Sequence, residues 1–225
     1  MPALITWWSQ DITALAGDVF EGAVYAAGAD LLARWSEAQR HYHGTQHLVE
    51  MFWALEELED AGELDAREAT LARVAAWLHD AVYDPKAVSG ANESESALLA
   101  RAVLGELDLD ADDVDTVEEL VLMTAGHEST VGPPRPIESA FHDADLWILS
   151  APDSRFDDYC RQVRSEYAHV PEVAYRFGRA ALLRGFAERE RIYRTDFAHA
   201  EWEPPARDNL ERELARLAAP DLEAT

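Results

Sequence analysis

Ala69-Thr70-Leu71-Ala72-Arg73-Val74-Ala75-Ala76-Trp77-Leu78-His79-Asp80 is the stretch that decides the fold class. Leu71, Val74, Ala75 and Leu78 recur at spacings of three and four, which lines up one face of an α-helix. Ala, Leu and Arg are good helix formers. Nothing here alternates with the period of two that a half-buried strand needs. The stretch predicts a helix with one buried stripe. It ends on an imidazole and a carboxylate, which an apolar environment accepts only when they are paired or hold a metal.

The same periodicity recurs outward in both directions. It covers about Ile12–Trp35, Thr45–Leu58, Ser94–Leu107, Val114–Met123, Ile137–Leu149, Phe156–Tyr167, Ala174–Tyr193 and Asn209–Leu217. No hairpin signal interrupts it, so the expected class is all-α. The breaks have chemical causes. Asp60-Ala61-Gly62 ends one helix, and Asp84-Pro85 stops the next, because proline disfavours helical geometry in the residue before it. Gly132-Pro133-Pro134-Arg135-Pro136 is the stiffest interruption, and Glu203-Pro204-Pro205 is the last. None is long enough to be a linker, which predicts a single domain over residues 1–225.

The 225 residues carry a net charge of −25, yet 48% of them are hydrophobic, so the acidity does not mean disorder. Such a surface repels nucleic acid and anionic membranes. It does not exclude a small phosphorylated substrate, because a pocket has its own local field and a divalent ion can dominate it. A lone Cys160 rules out an internal disulfide framework and fits a reducing compartment. Met1–Gln10 has no basic residue ahead of its apolar stretch and makes a poor secretory signal. No run approaches the roughly 20 apolar residues of a membrane span. The expectation is a cytoplasmic protein with no membrane partner and no stable nucleic-acid partner; a homodimer is left open.

Four ionisable residues stand in apolar surroundings: His47, the doublet His79-Asp80, and Asp145, which precedes Leu146-Trp147. Neutral imidazole and carboxylate are good ligands for divalent metals. They lie too far apart for one loop to gather them, so helix packing has to do it. Read alone, the four are equally a set of hydrogen-bonded polar core residues.

Their order and neighbourhoods resemble the H…HD…D signature of the HD-domain superfamily, and within it the predicted metal-dependent HD phosphohydrolases. The match runs through Arg40-His41-Tyr42-His43…His47, His79-Asp80-Ala81-Val82-Tyr83-Asp84-Pro85, Asn92-Glu93…Ser96-Ala97, Thr124…His127 and Asp143-Ala144-Asp145-Leu146. It continues through Val163-Arg164-Ser165-Glu166-Tyr167, Gly178-Arg179 and Trp202-Glu203…Ala206-Arg207-Asp208-Asn209-Leu210, covering residues from about 30 to 215. The resemblance implies an HD-type helical bundle with a metal site in its core. It further implies that His47, His79, Asp80 and Asp145 surround one divalent ion (Mn, Mg, Fe, Co, Ni or Zn).

The neighbours of these residues divide between pocket and scaffold. Asp84, four residues after Asp80, is either a general base near the metal-bound water or an aspartate ending a helix before Pro85. Related hydrolases often place their acid one position earlier, where this chain has Tyr83. Glu93 is either a pocket carboxylate or a charge favourable to a helix N-terminus. Arg40 is a candidate for phosphate, since its planar fork can hold two oxygens, and His43 is a pocket residue touching substrate. His127 either protonates a leaving group or sits at a helix end. Asp143 caps or supports its neighbour. Arg164, Glu166, Tyr167, Arg179 and Arg207 read as a buried Arg–carboxylate network tying the last helices to the core.

The resulting expectation is a hydrolase that cleaves a phosphoester or phosphoanhydride, such as that of a nucleotide, with metal-activated water. Asp84, Glu93 and His127 are its catalytic groups, and Arg40 and His43 bind substrate. Two alternatives are an HD-fold di-iron oxygenase, which needs more histidines, and a non-enzymatic acidic helical binding protein. The acids cluster at Glu56–Asp60 and Asp108–Asp115, near helix ends, as a solvated surface does.

Overall fold

In the computed structural model, the described residues are 2–17, 19–126 and 133–219. They form α1 (Pro2–Ala16), α2 (Glu21–Trp35), α3 (Thr45–Asp60), α4 (Ala66–Leu78), α5 (Ala91–Glu106), α6 (Ala111–Met123) and α7 (Pro136–Asp145). A 3-10 turn, Trp147–Ser150, leads to α8 (Asp153–Glu166), α9 (Glu172–Ala187), α10 (Asp196–Glu201) and α11 (Glu203–Ala218). There is no strand among the described residues, and the all-α expectation holds. Among the described residues no helix is long and apolar enough to cross a membrane.

The sequence around α4 explains why this helix sits innermost. Asp65 starts it with a capping box: its Oδ1 accepts the N–H groups of Arg67 (2.8 Å) and Glu68 (2.9 Å), and the Glu68 carboxylate accepts the Asp65 N–H (3.0 Å). Between Ala69 and Leu78 every residue except Arg73 is buried. The expected stripe is therefore wider than its spacing suggests. The residues between the large apolar ones are mostly alanines, small enough to admit α1, α3, α5, α6 and α7 around the axis. A helix apolar on all sides belongs in an interior. Arg73 escapes sideways to Asp11 (3.0 Å) and Glu59 (3.3 Å). One apolar core runs from Leu4 on α1 to Leu210 on α11.

Several boundaries differ from the sequence reading, each for a physical reason. The span Ile12–Trp35 is two helices, because Gly17 takes a left-handed conformation (φ 70°) and closes α1. The span Ile137–Leu149 divides after Asp145 into α7 and the 3-10 turn, and Ala174–Tyr193 stops being helical at Ala187. The last break falls just before Glu203-Pro204-Pro205, at Trp202, and these three residues form the first turn of α11, where a missing N–H costs nothing. Most consequential is α4, which ends at Leu78, well before Asp84-Pro85. Carbonyls at its end and just beyond it find donors from outside the helix. Trp35 Nε1–H donates to Trp77 O (2.8 Å), and Arg40 donates to Asp80 O (2.7 Å) and Ala81 O (3.1 Å).

Replacing Asp65 with Ala leaves two N–H groups of α4 without their acceptor. The variant should lose about 1 kcal/mol of stability in urea denaturation, with an unchanged denaturant slope.

Candidate metal centre

Three helix ends meet at the site. His47 lies in the first turn of α3, His79 and Asp80 follow the last residue of α4, and Asp145 is the last residue of α7. Helix termini suit this purpose, because the chain turns there and side chains can converge without breaking a hydrogen-bond ladder. His79 Nε2 lies 3.3 Å from His47 Nε2, 3.2 Å from Asp80 Oδ2 and 3.6 Å from Asp145 Oδ1, and His47 Nε2 lies 3.2 Å from the same Asp145 oxygen. Donor atoms of His47, His79 and Asp80 all fall within 4.8 Å of one another. Both imidazoles are buried, and the two carboxylates are 14% and 13% exposed.

The surroundings settle which nitrogens face inward. His79 Nδ1 sits 2.9 Å from Ala76 O, which can only accept, so Nδ1 carries the hydrogen and Nε2 turns a lone pair to the centre. His47 Nδ1 meets the Tyr42 hydroxyl at 3.1 Å, again leaving Nε2 inward. Two imidazole nitrogens and two carboxylate oxygens thus crowd one point, an arrangement that could hold a cation. Burial alone would lower the His79 pKa, but the adjoining Asp80 and Asp145 carboxylates outweigh it and raise it to about 9. Burial would raise Asp80, but His79, His43 and His47 hold it well below the usual carboxylate range. With neutral imidazoles the donor set carries two negative charges, so its chemistry fits a divalent ion.

Behind the cluster lies a second layer centred on Glu166, at the end of α8. Its Oε1 accepts the backbone N–H groups of His41 (2.7 Å), Tyr42 (2.7 Å) and His43 (3.0 Å). Its Oε2 accepts His43 Nδ1–H (2.7 Å) and the Tyr83 hydroxyl (2.9 Å). This carboxylate therefore shapes the segment that leads into α3 and sets the orientation of His43. Burial pushes the Glu166 carboxyl up, but His43 and the three N–H groups overcome that and hold it at about 2. The His43 pKa is raised: burial works against this, but Asp80 and Glu166 prevail.

A cavity of about 480 Å³ opens onto the cluster. His43, His79, Asp80, Glu93, Thr124 and Asp145 line its polar end, and Leu146, Ile148, Tyr159 and Val163 continue along its apolar length. Glu93 stands at the third residue of α5 and reaches the cavity.

Two expected site residues are elsewhere. Arg40 is no free phosphate fork: its nitrogens hold Glu37 (3.1 Å), His43 O (3.0 Å), Asp80 O and Ala81 O, and its side chain is 1% exposed. Asp84 is exposed, accepts the Lys86 N–H (2.9 Å) and does not line the cavity. The i+4 argument that placed it near Asp80 fails because α4 has already ended. His127 lies outside the described residues. Asp143 supports a neighbouring turn, accepting the N–H groups of Arg194 (2.8 Å) and Thr195 (2.8 Å) and the Thr195 hydroxyl (2.7 Å).

The expected Arg–carboxylate network is also rearranged. Arg164 donates to Tyr167 O (2.7 Å) and Val170 O (3.2 Å) as well as Glu172, and Arg207 donates to three carbonyls around residues 187–190 as well as Glu203. Glu166 works on histidine, tyrosine and backbone. The sequence reading missed its role for want of any local signal, since its partners lie more than 80 positions away. No family model, curated protein or solved structure matches the chain.

Glu166 should leave a mark on acid stability. Its carboxyl is lower in the folded chain than its ordinary 4.5, so its stabilisation is complete above that pH and drains away as pH falls towards about 2. At about 1.4 kcal/mol per unit this is on the order of 3 kcal/mol. Glu166→Gln should lose a similar amount at pH 7 and show a flatter stability curve between pH 5 and 2, followed by urea denaturation at each pH.

Proposed function

We propose that this chain is an HD-type metal-dependent phosphohydrolase. One observation carries the reading: four metal-ligating atoms from His47, His79, Asp80 and Asp145 converge where a cavity opens. The order of these residues resembles the HD signature, and two imidazoles with two carboxylates suit a divalent ion. A bound divalent ion would supply Lewis acidity and a water whose pKa falls towards neutrality.

The remaining steps belong to the chain. His43, tied through Nδ1 to Glu166, has Nε2 as its other nitrogen in the cavity it lines. With its pKa raised it is suited to giving a proton to a leaving oxygen. Glu93 is the carboxylate outside the donor set that lines the cavity, and it is placed to accept the proton of the attacking water. These two take the roles the sequence reading divided among Asp84, Glu93 and His127. The apolar walls exclude bulk water and strengthen each of these electrostatic contacts.

The di-iron alternative, which needs more histidines, gains no support: the group able to hold a metal among the described residues contains two imidazoles, His47 and His79. A purely acidic binding surface is also less economical. Several of the acids cap helices or pair with arginine, as Asp65, Asp110, Asp113 and Glu50 do.

Calorimetric titration with Mn²⁺ should show one ion per chain, and His79→Ala or Asp145→Ala should weaken binding by at least a hundredfold. Glu93→Gln should keep the ion and lower phosphate release from a nucleoside monophosphate panel by 10²-fold or more. Full metal occupancy in His79→Ala would sink the site. An occupied wild-type protein that releases no phosphate from any ester on the panel would sink the activity.

A further inference from the structure

Arg179, on α9, is the residue the foregoing chemistry leaves unexplained. It lines the cavity and is 8% exposed, yet its Nε and Nη2 meet no hydrogen-bond acceptor among the described residues. Its guanidinium lies over the Tyr159 ring at 4.8 Å. The other groups nearest it in effect, Tyr175 and Cys160, are neutral at pH 7, since burial pushes both up to about 12. The guanidinium shares a hydrogen bond with Tyr159. The carboxylate that acts on Cys160 and Tyr175, Glu213, lies against Arg216 (3.6 Å) and meets neither Nε nor Nη2 of Arg179. A buried cation without a hydrogen-bonded counter-ion is costly. The contrast within the molecule is plain. Arg40 has acceptors on all three nitrogens, and Arg155 holds Glu50 through two.

An aromatic wall joins this cation to the metal cluster. The ring of His47 lies 4.8 Å from that of Tyr42, Tyr42 lies 4.6 Å from Tyr159, and Tyr159 carries Arg179. We propose that Arg179 is an anion-binding subsite at the apolar end of the cavity, taking an acidic group of the ligand other than the one at the His/Asp cluster. The subsite rests on the phosphohydrolase reading, which places the first anionic group at the cluster. It adds a substrate class: phosphate esters that carry a second acidic group, separated from the first by an aromatic or aliphatic stretch lying along Tyr42 and Tyr159. Such a ligand supplies the counter-charge that the protein withholds.

The test uses the full chain stripped of metal by chelation, with 1-naphthyl phosphate and uncharged 1-naphthol as probes in calorimetry or fluorescence titration. Wild type should bind the phosphate at least tenfold tighter than the naphthol. Arg179→Met should abolish that preference, and Arg179→Lys should recover part of it. Removing an uncompensated buried charge should also leave Arg179→Met at least as heat-stable as wild type, whereas a structural arginine would be missed. Equal affinity of wild type for the two probes overturns the subsite, as does a preference that survives in Arg179→Met. Should Arg179→Met fail to fold, Arg179→Gln, which also removes the charge, carries the same comparison: loss of the preference is expected, and its survival overturns the subsite. Mn²⁺ titration of the same protein reports separately on the metal reading, so loss of one result without the other shows which has failed.

Discussion

Three Lewis-basic atoms, two of them on carboxylates, are held within about 3.6 Å of a buried imidazole nitrogen. This crowding is the constraint around which the rest of the structure is arranged. Two like charges about 4 Å apart repel by about 4 kcal/mol at an effective dielectric of 20. Left to itself the cluster would spread. It is confined because each member sits at the end of a helix that has no freedom to move. Helix α4 is enclosed by five others, the segment before α3 is tied down by Glu166, and Arg40 clamps the carbonyls just beyond His79. The packing thus supplies the rigidity that keeps the four groups together.

The parts legible in the sequence were those that depend on local periodicity. The interior helix and its terminal His79-Asp80 stand out because apolar spacing and an ionisable doublet are both read within a dozen residues. The place where α4 stops was not legible, since tertiary donors from Trp35 and Arg40 end it before any proline does. That single boundary misplaced Asp84 by the i+4 rule. Arg40 was read as a fork for phosphate, but residue type does not reveal whether the oxygens it holds belong to a phosphate or to a carbonyl. Gly17 and the Pro204-Pro205 pair were ambiguous punctuation: one glycine ended a helix, and two prolines began one.

The second layer was harder still. Glu166 touches three consecutive backbone amides, a histidine and a tyrosine, all distant in sequence. A carboxylate in that position looks the same on paper as one paired with the arginine two places before it. Arg179 shows the converse, an arginine grouped with acids on paper that has none at its Nε and Nη2 in space. In both cases the deciding fact is a partner's identity, which only packing determines.

The enclosure of α4 has a consequence in time as well as in energy. A site on a surface loop can open by local fraying, on scales far faster than global unfolding. His79 and Asp80 are joined directly to the most buried helix of the chain, so the cluster cannot come apart without disturbing the core. Whatever ion it holds has to arrive and depart by way of the cavity, at a rate set by that opening. A cation bound there would therefore exchange slowly, at a pace set by the cavity and not by fraying of the chain.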